Sequence, residues 1–321
     1  MPAIVEVARS ALWQVSTGFF QTVIRLITSM ALARILQPED FGIFGMAVMI
    51  YGIAELLSAS GITNGIIIKQ ESNDLDLSTC FWIIIIIRIF IFSFLIHFSN
   101  LISIWMNEPK IKFLIYTLSP LIIISGLGSI AQTNLQKKLN FKKLGIIKFY
   151  GAILESSIAL ILAFSTNLGY MCLALSMIIN VIVINILFIL ESKWIPKFIF
   201  SIESFSFLIN YGVSSIGSSI ISFLGNNFDF LIVGKFLGAK SLGLYEFAYR
   251  LPHILNERIS GPISAVVFST MSQNQRDDNE LENSFLSSSK FLAWLFFPIF
   301  SGVSVVSYEL IEVMWGSKWI V

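Results

Sequence analysis

The sequence predicts an all-α polytopic membrane protein, and three observations support that prediction. The 321 residues are 55% hydrophobic and only 13% charged, whereas a soluble domain has about 25% charged residues. The mean hydropathy is +0.80, more apolar than a soluble globule could accommodate, since much of its surface must stay in water. Apolar runs of about 20 residues, the length that crosses a bilayer core, recur along the whole chain. A cytosolic enzyme and a disordered chain are thereby excluded.

The charge balance and the cysteines exclude further classes. The chain has 21 Lys and Arg against 20 Asp and Glu, which leaves no basic excess for a nucleic acid. Cys80 and Cys172 both lie in apolar runs, where free cysteine behaves as a small hydrophobe. We therefore expect no nucleic-acid partner, no resident metal or cofactor and no catalytic site.

The apolar runs predict nine membrane-spanning helices. The first contains Arg25 and is too long for a signal peptide, so we expect it to be retained. The seventh and eighth are long and rich in Ser, Asn and Gly. The nine predicted spans are Ala11–Ile35, Phe41–Ile66, Thr79–Ser99, Phe113–Thr133, Leu144–Ser165, Leu168–Leu190, Phe205–Gly234, Leu242–Met271 and Phe285–Tyr308.

The distribution of basic residues predicts a cytoplasmic N-terminus. With that orientation the inner loops and span ends hold eleven Lys and Arg, and the outer ones hold six. Basic residues are enriched on the cytoplasmic side of membrane proteins. Most of the excess comes from the lysines between residues 137 and 148, which we interpret as a topology anchor, with anionic lipid or a cytoplasmic partner as the alternative.

An internal repeat relates the two parts of the chain at an offset of 201 residues. The segment from Ala33 to Phe44 aligns with the segment from Gly234 to Tyr245, so that Gly42 falls on Gly243. The offset covers six spans, an even number, which predicts parallel repeats about an axis along the membrane normal. We therefore expect a six-helix lobe at residues 1–200 and a partial lobe of about three helices at 201–321, and expect the chain to represent part of a protein with twelve or more spans.

Several segments resemble oligosaccharide flippases of the MATE-like superfamily, the exporters of O-antigen and colanic-acid units. The segments are LARILQPEDFGIFGMAVMI, LSASGITNGIIIKQ, NLQKKLNFKKLG, FDFLIVGKFLGAKSLGLYEFAYRL and MWGSKW. The resemblance implies two lobes facing each other across a cavity, with the second lobe incomplete here. It also implies alternating access, residence in the bacterial inner membrane, and transfer of an undecaprenyl-pyrophosphate-linked oligosaccharide to the periplasmic leaflet. Membrane lipids and other polysaccharide-assembly proteins are the further partners it implies.

Polar residues form stripes along four of the predicted spans. An ionisable group in hydrocarbon costs about 2.5–3.5 kcal/mol, so it should face a cavity or a partner. Helical spacing places these residues on one face of each helix, and the repeat predicts that the four helices meet. Serines and glycines on such faces, such as Gly61 and Gly65, also serve close helix packing. The candidate cavity residues are Gln21, Arg25, Glu55, Asn226, Arg250, Glu257 and Arg258.

The charged members of this set have alternative roles. Arg25 could bind the pyrophosphate through its planar fork or pair with Glu55. Glu55 or Glu257 could hold a coupling proton or sodium ion, or neutralise an arginine. For Arg88, which lies outside these stripes, we expect a structural partner or a span shifted in depth, and Glu155 is open between the two kinds of role.

Three alternative functions compete with a flippase. A drug or metabolite antiporter of the same superfamily would suit cationic cargo, which several cavity arginines disfavour. A membrane glycosyltransferase or polysaccharide polymerase would present its acids on large outer loops, and the outer loops here are short. A scaffold subunit without transport is the third alternative.

Overall fold

The computed structural model describes residues 2–69, 72–273 and 278–320, and this part of the chain is helical without a strand. The side chains of some helical residues, Glu257 and Arg258 among them, lie outside the description. The helices are α1 Pro2–Ile35, α2 Pro38–Ile68, α3 Asp74–Trp105, α4 Lys110–Leu118, α5 Pro120–Lys137, α6 Phe141–Ser165, α7 Tyr170–Ser192, α8 Ile202–Gln273, α9 Asp278–Val305 and α10 Ser307–Met314.

Eight candidate membrane spans occur in the described residues, against the nine that the sequence predicts. The difference lies in α8, where the candidate span Ile202–Gly261 has 60 residues. A straight helix of that length would measure about 90 Å, three times the bilayer core of about 30 Å. The helix is interrupted at Gly238, whose φ of 84° and ψ of 175° are not helical. The predicted seventh and eighth spans are therefore the two arms of α8, at residues 202–237 and 239–273.

A side-chain cap and a proline explain where two of the helices begin. Asn73 precedes α3 and accepts a hydrogen bond from the backbone N–H of Asp76, while Asp76 accepts one from the backbone N–H of Asn73. This reciprocal capping box satisfies donors that a helix start leaves open. Pro120 begins α5 directly after Ser119. Because proline lacks a backbone N–H, it divides the fourth predicted span into two helices, α4 and α5.

Compact packing divides the chain into unit 1, Met1–Gly243, and unit 2, Leu244–Val321. In unit 1, α1 packs on α6, α6 on α7, and α5 on α7, α3 and α2. Its largest apolar core includes Ile43, Met46 and Leu114. In unit 2, Phe247 contacts Trp315 and Trp319 at ring-centroid distances of 5.5 and 3.9 Å, which anchors the MWGSKW segment. The lobe boundary at residues 200 and 201 stays a prediction.

Glycines bring α2 and the first arm of α8 into close contact. A Cβ at Gly61 would overlap the backbone of Gly212, and one at Gly65 would reach Leu208. Small residues at such crossings allow two helix backbones to approach. The contact confirms that these two helices meet and that Gly61 and Gly65 serve helix packing.

The two repeat-related turns pack on each other reciprocally. A Cβ at Gly42 would overlap the carbonyl of Ala239, and a Cβ at Gly243 would overlap the carbonyl of Pro38. With the 201-residue offset, Pro38 corresponds to Ala239 and Gly42 to Gly243. Residue i of one copy thus contacts residue j of the other, and j contacts i, which is the signature of a two-fold axis.

Valine at either turn glycine should destabilise the protein. We expect Gly42→Val and Gly243→Val each to lower the melting temperature by several degrees, because overpacking costs about 1–3 kcal/mol. Gly225→Val is the matched control, since nothing lies within 4 Å of a Cβ at that position. Thermal unfolding of the detergent-purified variants measures this, and equal melting temperatures for all three would contradict the reciprocal contact.

Candidate functional site

A polar cavity lies within unit 1, between α1, α2, α3, α5, α6 and α7. It has a volume of 390 Å³ and is lined by Gln21, Arg25, Glu55, Arg88, Ser125, Ser129, Gln132, Lys148, Ile184, Asn185 and Phe188. A second space of 670 Å³ adjoins it and shares Glu55, Arg88, Ser129 and Gln132. The two are adjacent chambers, with Glu55 and Arg88 in the wall between them.

The wall is built on an ion pair between α2 and α3. The two terminal nitrogens of Arg88 lie 3.0 and 2.7 Å from the two carboxylate oxygens of Glu55. Arg88 is only 2% exposed. A Cβ at Gly126 would lie 2.5 Å from Arg88 Cδ, so α5 needs glycine where the arginine passes. Arg88 therefore has the structural partner that the sequence left open, and that partner is Glu55.

Further hydrogen bonds fix the pair to α5. Arg88 Nη1 also donates to the carbonyl of Ile122 and to Ser125 Oγ, both at 2.5 Å. Ser125 Oγ in turn lies 3.0 Å from Glu55, and the Tyr51 hydroxyl donates to Glu55 at 3.3 Å. These contacts join α2, α3 and the first turns of α5. Glu55 is thus paired with Arg88 and not with Arg25.

Arg25 pairs instead with Glu155, across the contact between α1 and α6. Its terminal nitrogen lies 3.1 Å from Glu155 Oε2, and the same oxygen accepts a hydrogen bond from the Asn180 amide at 3.0 Å. The Arg25 side chain is 61% exposed, whereas that of Glu155 is 26% exposed. Arg25 therefore keeps guanidinium donors directed at open space while one side of its fork is held.

Lys148 is the third cation that lines the cavity. It lies two turns before Glu155 on α6, a spacing that puts both residues on the same helix face. Its ammonium group makes no hydrogen bond or ion pair with any residue that the structure describes. A charge at this depth without a protein partner is costly, so the site offers a cation to an anionic ligand.

The structure gathers three of the predicted site residues in this cavity and places two others outside it. Gln21, Arg25 and Glu55 line it. Asn226 lies exposed on the first arm of α8 and outside both chambers. Arg250 belongs to unit 2, where it contacts Glu246 at 2.5 Å. Glu257 and Arg258 have side chains outside the described residues.

Sequence reasoning missed Lys148 as a cavity residue and assigned it to the topology anchor. The signal was present, because Lys148 and Glu155 are seven residues apart on one predicted span. Gln132 and Asn185 were also missed. Single amides on apolar helices have no periodicity to single them out, and only the packing of α5 against α7 brings them together.

Comparison with known proteins identifies the family. Residues 31–321 match the polysaccharide biosynthesis protein family. The chain belongs to this family. The match confirms the resemblance that the sequence segments indicate, and it includes Glu55, Arg88 and Lys148.

Curated relatives of the chain come from several bacteria. The chain is 25% identical over its whole length to the teichuronic acid biosynthesis protein TuaB of Bacillus subtilis, covering 67% of that protein. It is 28% identical to the lipopolysaccharide biosynthesis protein WzxC of Escherichia coli, with 92% of this chain and 60% of WzxC covered. The succinoglycan biosynthesis transport protein ExoT of Rhizobium meliloti is 24% identical, with 98% and 63% covered. The chain thus spans 60 to 67% of the length of these relatives.

Solved structures confirm the MATE-like fold. The chain superposes on the lipid II flippase MurJ in an inward closed conformation with a TM-score of 0.74, at 18% identity, covering 95% of this chain and 67% of MurJ. An inward-facing multidrug resistance MATE family transporter gives a TM-score of 0.66 at 14% identity, with 95% and 75% covered.

Removing one partner of the buried pair should destabilise this polysaccharide biosynthesis protein. We expect Glu55→Ala to reduce stability by about 3–5 kcal/mol, because it leaves the buried Arg88 charge without its counterion, and Arg88→Ala to reduce it by less, because the side chain of Glu55 is 33% exposed. The double variant Glu55→Ala with Arg88→Leu should recover much of the loss. Arg25→Ala is the control, since its partly exposed pair contributes about 0–1 kcal/mol. Thermal unfolding and membrane abundance measure these effects, and a double variant as unstable as the sum of the singles would contradict them.

Proposed function

We propose that this protein is a flippase that moves an undecaprenyl-pyrophosphate-linked oligosaccharide from the cytoplasmic to the periplasmic leaflet of the bacterial inner membrane. The observation that carries the proposal is a polar cavity that presents Arg25 and Lys148 to a ligand. The family, the MATE-like fold and relatives named for polysaccharide biosynthesis and transport support the same conclusion. The protein acts in this proposal as a transporter and not as an enzyme.

The charge count of the cavity favours an anionic cargo. Arg88 is neutralised by Glu55, and Arg25 by Glu155, which leaves Lys148 as excess positive charge. A pyrophosphate would form an ion pair with the Lys148 ammonium group, and it would accept paired hydrogen bonds from the open side of the Arg25 guanidinium. A cationic drug would meet repulsion at both groups. This distribution is the reason for preferring a lipid-linked sugar phosphate over the drugs of a multidrug antiporter.

The remaining lining suits sugars. Gln21, Gln132 and Asn185 offer amide donors and acceptors, and Ser129 offers a hydroxyl. Glycan hydroxyls both donate and accept, so side chains of this kind can replace the water that the headgroup loses in a low-dielectric space. The lining does not select one sugar repeat.

The pair of Arg25 with Glu155 supplies a means of ion coupling in this proposal. When a phosphate takes the Arg25 guanidinium, Glu155 loses its counterion in a low-dielectric wall. A proton or a sodium ion would then neutralise it, since an unpaired carboxylate within a membrane span is costly. Glu55 is less suited to this role than Glu155, because both of its oxygens are held by Arg88.

Removing the Arg25 guanidinium should abolish export without loss of protein. We expect Arg25→Ala to eliminate surface polysaccharide in a complemented deletion strain, with membrane abundance close to normal. Arg25→Lys should rescue only partly, because lysine keeps the charge and loses the fork. If Arg25 serves only its pair with Glu155, abundance should fall instead, and the swap of Arg25→Glu with Glu155→Arg should restore both quantities. Normal export by Arg25→Ala would remove this residue from the transport site.

Lys148 should be needed for export as well. We expect Lys148→Ala to lower surface polysaccharide at least tenfold, since an ion pair with a phosphate in a low-dielectric site is worth more than one in water. Lys138→Ala is the matched control, because Lys138 belongs to the same basic cluster but lies exposed at the end of α5 and outside both chambers. Equal export by the two variants would show that Lys148 acts only in topology.

A further inference from the structure

An apolar groove lies on unit 1 between α2, α3 and the first arm of α8. Its volume is 420 Å³. Ala54, Leu95 and Met106 form a buried floor, while Phe90 and Trp105 stand exposed at the rim. Along α3 the groove extends from Phe90 to Trp105, about 22 Å at 1.5 Å per residue. With a cytoplasmic N-terminus this is the periplasmic half of the bilayer.

Helix α2 separates the groove from the polar cavity. Tyr51 and Glu55 face the polar chambers, while Ile50, Ile53 and Leu57 face the groove. At 100° per residue these two sets occupy opposite sides of the helix. A polar environment and an apolar one therefore lie on the two sides of one helix. They suit the polar head and the apolar chain of an amphipathic ligand.

A cation stands at the outer end of the groove. Lys235 Nζ lies 3.8 Å from the ring centroid of Trp105, and Trp105 is part of the groove lining. Lys235 makes no hydrogen bond or ion pair with any residue in the described part of the chain. An ammonium group on an aromatic face keeps its N–H donors available. The end of the groove is therefore complementary to an anion at the membrane surface.

We propose that the groove binds the polyprenyl chain of the lipid carrier on the periplasmic side, with the carrier's phosphate at Lys235. This inference rests on the proposed function and names a second lipid site for it. The small apolar space of 420 Å³ and the single cation at its end favour a one-chain lipid phosphate over a two-chain phospholipid.

Photocrosslinking tests the site directly. The protein is placed in nanodiscs of phosphatidylethanolamine, and undecaprenyl phosphate carrying a diazirine in its chain is the probe. We expect crosslinks on α2 and α3 at groove positions. Leu57→Trp should reduce their yield at least fivefold by filling the rim, and Lys235→Ala should reduce it at least threefold by removing the cation.

Matched variants and competitors separate a specific site from ordinary lipid contact. Leu101→Trp changes an exposed residue of α3 outside the groove, and Lys240→Ala removes an exposed lysine of the neighbouring turn. Both should crosslink like the wild type. Unlabelled undecaprenyl phosphate should compete, whereas undecaprenol and phosphatidylglycerol should compete at least fivefold less well. Equal competition by phosphatidylglycerol, or equal yields in all four variants, would overturn the proposal.

The readout is independent of transport. Arg25→Ala should lose export and still crosslink in the groove, because α2 separates the two sites. Loss of export by Arg25→Ala without any groove crosslink in the wild type would refute the groove alone. Groove crosslinking together with normal export by Arg25→Ala would refute the proposed cavity site alone. Lys235→Ala is a surface change, so its effect does not depend on whether Leu57→Trp folds.

Discussion

The bidentate pair of Arg88 with Glu55 is the interaction on which the arrangement of unit 1 depends. A guanidinium that is 2% exposed within a membrane span must have a counterion. Meeting that requirement fixes α2 against α3 at one point, and the contacts to Ile122 and Ser125 fix α5 to both. The pair also forms the wall between the two polar chambers. An arginine in an apolar span needs a counterion, and the ion pair that meets this need also forms part of the polar surface of the cavity. The other cavity residues extend that surface.

Helix α2 presents different surfaces on its different sides. One side carries Glu55 towards the cavity, and the opposite side carries Ile53 and Leu57 towards the apolar groove. Its glycines bring α8 close, with Gly61 at the first arm and Gly42 at Ala239, where the second arm begins. A single helix thus has polar, apolar and close-packing surfaces. This arrangement fits the lipid-linked cargo proposed above, which is polar at one end and apolar at the other.

The reciprocal contact between the turns gives the internal repeat a physical meaning. A sequence match of a dozen residues is weak evidence by itself. In the structure Gly42 meets Ala239 and Gly243 meets Pro38, the pairs that a two-fold relation requires. Parallel repeats of this kind are a known plan of transporters, in agreement with the MATE-like fold and with the polysaccharide biosynthesis family.

The sequence by itself determined the class, the helices, the repeat and the presence of costly charges at Arg25, Glu55 and Arg88. Composition and 20-residue apolar runs are local properties, so they could be read without knowing which helices touch. Only the tertiary structure decided which charges pair, because any of several acids could have neutralised each arginine. It assigned Glu155 to Arg25 and Glu55 to Arg88, and it turned Lys148 from an end of a basic cluster into a cavity residue. An ion pair between two helices depends on how each helix is rotated about its axis and on how deep it lies in the membrane. The close helix packing at the glycine contacts sets both quantities.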